Sequence, residues 1–395
     1  MERGELGPAI ESPLELIKTL LAPRTMPHVF LLIAGTGSLF ALVSTVDEDP
    51  GFAAIIFTSA MTSYIIIGII GNHPRVKKWL LVEGYSSKIG KIIGPITLPI
   101  FFMILIGGVI LLTIAQDKAI RDTWALVLSS LFVFWSIGQG LALRSSIRGI
   151  FIGAKSSKRE EKSEPKSWDF RILFIGAFVS SLSIALIRGV LIPNFSGNNP
   201  EAFLWIIYVI VSFSTISLFL QISKDGFIPY DLSWTKGDRS RVHRIGQLMI
   251  LLIAWHLSSA WSRLSGEGNN LMLLEEAILV IITVVSAVWA MTNRNKNSIG
   301  FVSKDTAIHW AIAFGFGYAG SITVMSGLTN SLPFLGDITQ TLGIGHILTA
   351  FTLLFGINKT ISRPSISELI TEEENEENTD LEIDELSNEL NEIRL

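Results

Sequence analysis

Long apolar runs recur along the whole chain and are separated by short polar segments. A helix that crosses a membrane needs roughly 20 consecutive, mostly apolar residues. Ten windows reach or approach that length, at about 28–46, 51–71, 92–115, 123–143, 172–193, 202–222, 247–264, 273–292, 306–328 and 340–357. The pattern therefore predicts an all-α fold, a polytopic integral membrane bundle of about ten transmembrane helices.

The distribution of basic residues indicates the topology of these ten windows. Cytoplasmic loops of membrane proteins carry an excess of Lys and Arg. With the N-terminus inside, 27 of the 31 Lys and Arg residues fall on the inner side. Removing the window 247–264, the most polar of the ten, would invert everything after it. We therefore expect ten alternating spans, both termini in the cytoplasm and a location in the cell membrane.

Composition supports a membrane protein and restricts its chemistry. Mean hydropathy is +0.49 and charged residues make up 17% of the chain, against about 25% in soluble domains. The absence of cysteine excludes disulfides and thiolate chemistry. The first residues lack the pattern of a secretory signal peptide, so none is expected. No nucleic-acid partner is predicted.

Two segments flank the predicted transmembrane domain, 28–358. The N-terminal segment, 1–27, contains an apolar spacing at 12–22 that predicts an amphipathic helix on the inner membrane surface. The acidic tail, 359–395, has 12 acidic residues and one Arg between 368 and 395. Such a tail is typical of a disordered segment, although a helix that binds a protein partner is the alternative.

Two features of the spans and loops suggest further organisation. The predicted spans that begin near 28, 172 and 306 are almost evenly spaced, which favours a weak 4+4+2 internal repeat, although an inverted 5+5 repeat fits equally well. The basic inner loop 144–171 predicts attraction to an anionic inner leaflet. The inner loop 223–246 mixes Asp and Arg, as phosphate-processing membrane enzymes do, but a plain surface loop is the simpler interpretation.

The window 247–264 places polar groups among apolar ones. His256, Ser259 and Arg263 follow helical spacing and share one face. Counted from the inner end, His256 lies roughly 15 Å deep, near the bilayer centre. Ionisable groups at that depth usually mark a substrate or proton site. The plainer alternative is a neutral histidine that is hydrogen-bonded to a neighbouring helix.

His346, in the last window, lies at a depth close to that of His256. The two residues form a candidate substrate-binding pair with Ser259 and Arg263. Two histidines on separate helices also suit the axial positions of a b-type haem, but no second feature supports haem and no cofactor is predicted. No carboxylate lies at that depth, so no metal site is predicted either.

Charged residues also gather at the predicted outer ends of the spans. Arg188, Arg263, Glu275 and Glu276 lie there, and the short loop 265–270 lets Arg263 reach either glutamate. A structural ion pair and a charged vestibule that gates access are the two interpretations. Arg188 is expected either to reach a lipid phosphate or to pair across the bundle.

Glycines in the window 306–328 are expected to serve packing. The segment 314–321 contains GxGxxG by letter, but it follows no strand, so nucleotide binding is not supported. Its small residues at i and i+4 instead predict close helix contacts.

Three functions remain open from the sequence. We expect a transporter or channel-like permease for an unknown small solute, with its site at the mid-membrane polar residues. The alternatives are a non-catalytic membrane subunit that docks partners through the acidic tail, and a membrane enzyme or b-haem electron carrier. Whether the protein is an enzyme is not determined by these patterns.

Overall fold

The computed structural model describes residues 25–45, 51–80, 85–116, 118–152, 162–163, 167–196, 202–222, 234–265, 271–293, 306–331 and 338–361. The predicted amphipathic helix at 12–22 and the acidic tail beyond residue 361 lie outside these ranges. The helices are α1 (Met26–Thr45), α2 (Gly51–Ile70), α3 (Pro74–Leu80), α4 (Lys88–Gln116), α5 (Lys118–Ile152), α6 (Ser167–Leu186), α7 (Ile192–Ser196), α8 (Ala202–Ile222), α9 (Lys236–Leu264), α10 (Leu271–Asn293), α11 (Ala307–Ser331) and α12 (Ile338–Ile361).

Each predicted span overlaps a helix, and several helices are suited to a membrane. Within the described residues, five segments are long and apolar enough to cross one: Lys88–Thr113, Arg171–Asn194, Ala202–Ile222, His243–Leu264 and Gln340–Ile357. Three more apolar stretches are shorter, at Met26–Gly35, Ile55–Ile70 and Ile278–Ala287. The polar window that the charge pattern required, within α9, is one of the five.

Burial separates peripheral helices from central ones. Only 11% of the apolar window in α4 is buried, and side chains such as Ile104 and Leu112 are about two-thirds exposed. Leaving this much apolar surface in water is unfavourable, so lipid is the natural neighbour of α4. In α9 and α12, 61% and 56% of the windows are buried. These two helices can carry polar residues because protein surrounds them.

The main apolar core forms around α11, which packs against α1, α2, α5 and α10. Small residues allow this close approach. A Cβ at Gly317 would lie 2.4 Å from the Trp135 ring on α5, and one at Gly315 would lie 2.8 Å from Val284 on α10. The prediction that these glycines serve helix packing is therefore confirmed.

A second group of helices forms around α9, which packs against α6, α8 and α5. Helix α12 also contacts α9, since a Cβ at Gly343 would lie 3.3 Å from Cβ of Arg263. On its other side α12 contacts α5, where Gly140 lies against Thr352. Helix α5 therefore contacts both groups of helices. Helix α12 lies against α9 close to the C-terminal end of α9.

Two inner loops of the predicted topology are joined by backbone pairing. Strand β1 (Lys162–Ser163) pairs antiparallel with β2 (Trp234–Thr235). The segments that contain these strands, after α5 and after α8, are therefore neighbours at one end of the bundle. Helix α9 begins at Lys236, directly after β2. The second half of the segment 223–246 is thus helical rather than the plain surface loop expected from its sequence.

The helical path after α6 contains a π-helical turn, Ile187–Leu191. The N–H of Ile192 bonds to the carbonyl of Ile187, five residues back. Pro193 follows and has no N–H to donate, which disturbs the regular ladder at this point. The wider turn contains Arg188 and brings Gly189 so close to Trp205 on α8 that a Cβ would lie 2.4 Å from its ring. Such turns are frequent at functional sites.

Candidate functional site

The seven candidate residues lie together at one end of the bundle. They come from the π-helical turn, the C-terminal half of α9, the first turns of α10 and the N-terminal part of α12. Hydrogen bonds connect all of them into one cluster, which we call the ionic network: Arg188, His256, Ser259, Arg263, Glu275, Glu276 and His346.

Arg263 lies at the centre of the ionic network and its side chain is inaccessible to solvent. Its Nη2 donates to Oε1 of Glu276 at 2.7 Å, and its Nη1 donates to Oε2 of Glu275 at 3.2 Å. The same Nη1 also donates to the carbonyl of Ser259, one turn back on α9, at 3.1 Å. One guanidinium therefore binds both carboxylates, a geometry that its planar fork of donors permits.

Arg188 reaches the ionic network from the π-helical turn. Its Nη2 donates to Oε2 of Glu275 at 2.7 Å, and its Nη1 donates to Ser258 Oγ at 2.8 Å and Ser259 Oγ at 3.1 Å. Its guanidinium lies over the Trp255 ring, 5.5 Å from the centroid, which adds a cation–π contact. Of the two arrangements expected for Arg188, the structure therefore shows pairing across the bundle.

The ionic network continues inward through the two histidines. Oε1 of Glu276 lies 2.9 Å from His346 Nε2, and His346 Nδ1 lies 2.9 Å from His256 Nδ1. Tyr318 OH on α11 lies 3.4 Å from the other oxygen of Glu276. The carboxylate is thus surrounded by donors from three other helices.

The Glu276 carboxylate fixes one hydrogen position along this chain of contacts. Glu276 also binds the permanently charged Arg263, so its carboxylate is the acceptor and His346 Nε2 is the donor. His346 Nδ1 and His256 Nδ1 share the next hydrogen bond, in which either ring can be the donor. Nε2 of His256, at the end of this chain, is buried and has no hydrogen-bond partner among the described residues.

The charges of the ionic network are balanced, and its side chains are almost inaccessible to solvent. Two guanidiniums face two carboxylates, and the side chains of Arg188 and Glu275, at 9% and 8%, are its most exposed charged groups. Isolated charges at this depth would be strongly unfavourable. Mutual pairing is what makes the burial tolerable.

The sequence pattern identified these residues but not the link between them. It placed the glutamates at the outer end and the histidines at the bilayer centre, as separate features. The Glu276–His346 contact joins the two. The sequence could have indicated this contact if depth had been measured from the first residue of each helix, because Glu276 and His346 each lie within two to three turns of the start of their helices. Ser258 and Trp255 were also missed, since both depend on the π-helical turn.

A second polar cluster lies at the opposite end of the bundle, near the starts of α1 and α11. His28 Nδ1 lies 3.0 Å from Tyr64 OH, and the His28 and His309 rings meet edge-on with centroids 5.0 Å apart. All three side chains are buried.

The residues of the ionic network do not form a haem or metal site in this arrangement. With 2.9 Å between the facing nitrogens of His256 and His346, no iron and porphyrin plane fits between them. Within the described residues, no group of three or more His, Asp or Glu side chains is arranged to hold a metal ion.

Comparison of the chain with protein-family models, with curated proteins and with solved structures finds no match. The geometry of the ionic network is therefore the main guide to function.

Proposed function

We propose that the protein is a membrane transporter for a small solute, and that the ionic network closes the solute pathway at one end of the bundle. The observation that carries the proposal is the burial of two arginines, two glutamates and two histidines in one connected cluster between four helical segments. Ionisable groups inside a membrane bundle are costly and by default mark solute or proton pathways.

Stability alone is a weak explanation for this arrangement. Buried ion pairs lose about as much free energy by desolvation as they gain by attraction, and apolar replacements are often neutral or stabilising. A bundle with such apolar helices could hold α9 and α10 together with leucine and isoleucine. Charges at this position instead allow the helices to separate, because water or a charged solute can solvate the parted groups.

The histidine pair gives the closed state a means of sensing protons. In the tautomer that keeps the His256 proton on Nδ1, its Nε2 can take up a second proton. That proton would strengthen the hydrogen bonds that lead to Glu276 and would give the ionic network a net positive charge. The protein therefore need not have a mid-span carboxylate for coupling to protons, since chains of His and Glu can serve in its place.

The finer topology belongs to the same proposal. Ten alternating spans, both termini in the cytoplasm of the cell and a 4+4+2 repeat remain predictions from the sequence. With this orientation, the ionic network closes the outer end of the pathway.

A membrane scaffold is the second candidate function, and the dryness of the ionic network favours it. In that case the charges would specify which helices pair and in what register. A protein partner at the acidic tail would then provide the biological role.

Labelling of single cysteines distinguishes the two functions, because the native chain has none. His256→Cys and Ser259→Cys are each treated with a membrane-impermeant maleimide in sealed vesicles of both orientations. A transporter exposes these positions to water during its cycle, so labelling is expected from at least one side.

Two control positions make the result decisive. Ser265 is exposed and lies directly after the C-terminal end of α9, so Ser265→Cys should label. Leu251 is 42% exposed on an apolar face, so Leu251→Cys should not. If the controls behave so and neither network position labels, the ionic network is permanently dry and the scaffold function replaces the transporter.

A further inference from the structure

The outermost part of the ionic network has the form of an anion site that is filled by the protein's own side chain. The carboxylate of Glu275 receives Arg188 Nη2 at 2.7 Å, Arg263 Nη1 at 3.2 Å and the hydroxyl of Ser259. We call these three donors the cradle. Two guanidiniums and a hydroxyl around one anionic group form the donor set that carboxylates and phosphates bind in other sites.

Arg188 is held in place by contacts that do not involve Glu275. Ser258 Oγ accepts from its Nη1 and donates to the backbone carbonyl of Trp255, while the Trp255 ring lies beneath the guanidinium. Removal of the carboxylate therefore leaves the donors oriented. A preorganised cradle loses little freedom when an anion arrives.

The guanidinium of Arg263 also has a donor that neither glutamate uses. Its Nε is buried and has no hydrogen-bond partner within the described residues. A buried guanidinium nitrogen without an acceptor is uncommon in a settled structural ion pair.

The two glutamates differ in how firmly they are held. Glu276 is bound by Arg263, by His346 and by Tyr318, and its side chain is 4% exposed. Glu275 lies beside Arg188 at the more exposed edge, and its partners all belong to the cradle. Exchange of the Glu275 carboxylate for another monoanion would leave the charge balance of the ionic network unchanged.

From this geometry we propose that the cradle binds the carboxylate or phosphate group of an anionic solute, which displaces Glu275. The proposal names the substrate class of the proposed transporter and rests on that function. Glu275 then acts as a tethered competitor that fills the cradle when no solute is present and keeps it from being left charged and empty.

Thermal unfolding of the full chain in a neutral detergent tests anion binding without requiring transport. Glu275→Ala should lower the Tm, because two guanidiniums lose their shared partner. Sodium acetate or inorganic phosphate should restore it by several degrees, since a ligand bound only to the folded state raises stability. Sodium chloride at equal ionic strength should not. No difference between acetate and chloride would overturn the proposal.

Three further variants test the site of the effect. Glu276→Ala should gain little from acetate, because its carboxylate lies deeper and is not part of the cradle. Arg188→Gln combined with Glu275→Ala should lose the restoration. Glu275→Gln, which keeps the shape of the side chain, serves if the alanine variant does not fold. Equal restoration of the Glu276 variant would show a general salt effect and would contradict a specific cradle.

The same variant distinguishes a free anion from a lipid headgroup as the source of the bound group. Glu275→Ala is compared in phosphatidylcholine nanodiscs with and without phosphatidylglycerol, in chloride buffer. A higher Tm with phosphatidylglycerol assigns the cradle to lipid phosphate, whereas an effect of acetate alone assigns it to a soluble solute. Acetate could restore the Tm of Glu275→Ala while the His256→Cys and Ser259→Cys variants stay unlabelled. In that case anion binding is supported and the transport function is contradicted.

Discussion

At the scale of single residues, Arg263 has the greatest effect on the arrangement of charge. Among the described residues, it is the one cation that pairs with both carboxylates of the ionic network at once. Its loss would leave Glu276 with only His346 and Tyr318 and would weaken the link between the two halves of the network. We expect this residue to couple strongly to its partners in energetic measurements.

Replacing both members of the Arg263–Glu276 pair should cost less than the two single changes together. Arg263→Met and Glu276→Met should each lower the free energy of unfolding by about 3–5 kcal/mol, because each leaves a buried charge with fewer partners. The double variant removes both charges and should recover much of that loss. Detergent-based unfolding of the four proteins measures the coupling energy. Purely additive losses would mean that the two groups do not stabilise each other.

The members of the ionic network were easier to identify from the sequence than their contacts. The polar face of α9 follows from helical spacing, so His256, Ser259 and Arg263 could be grouped from the sequence alone. The His256–His346 contact and the position of Arg188 could not, because they depend on which helices are neighbours and on a π-helical turn. Neither property is encoded in a local apolar pattern.

At the scale of helices, glycines determine how closely the central elements approach. Gly317 on α11 lies directly against the Trp135 ring, whereas a methyl group added at Gly108 on α4 would meet no neighbouring atom within 4 Å among the described residues. The same residue type therefore serves packing at one position and has no steric role at the other.

Alanine substitution should separate these two roles. Gly317→Ala should destabilise the bundle by about 1–3 kcal/mol, since an added methyl group at 2.4 Å from the indole forces the helices apart. Replacing Trp135 with leucine in the same chain should recover part of that loss. Gly108→Ala should leave the Tm unchanged or slightly raised, because alanine favours helix. A similar loss in both single variants would indicate that backbone flexibility, not packing, is what glycine provides.

At the scale of the whole molecule, the apolar pattern predicted an all-helical membrane bundle, and the helices at each predicted window agree with it. The structure adds that α9 and α12 are central, which explains why they are the most polar candidates for spanning. The apolar pattern of a single segment does not predict how much of that segment neighbouring helices will bury. Topology across the membrane remains a prediction, because it depends on charge distribution relative to a bilayer.

The cysteine-free chain allows the topology to be measured directly. Ser87→Cys and Lys359→Cys are predicted to face the cytoplasm, whereas Ser265→Cys is predicted to face outside. In sealed vesicles of known orientation, an impermeant reagent should label the first two from one side and the third from the other. Labelling of Ser265 and Ser87 from the same side would require a different number of spans between them.

The pairing of β1 with β2 has a consequence for any motion of the bundle. Backbone hydrogen bonds tie the loop after α5 to the loop after α8 at one end, whereas charged side chains hold the opposite ends of α9 and α10 together. Under the proposed transport function, the paired strands would hold their end of the bundle closed while the ionic network parts at the other end.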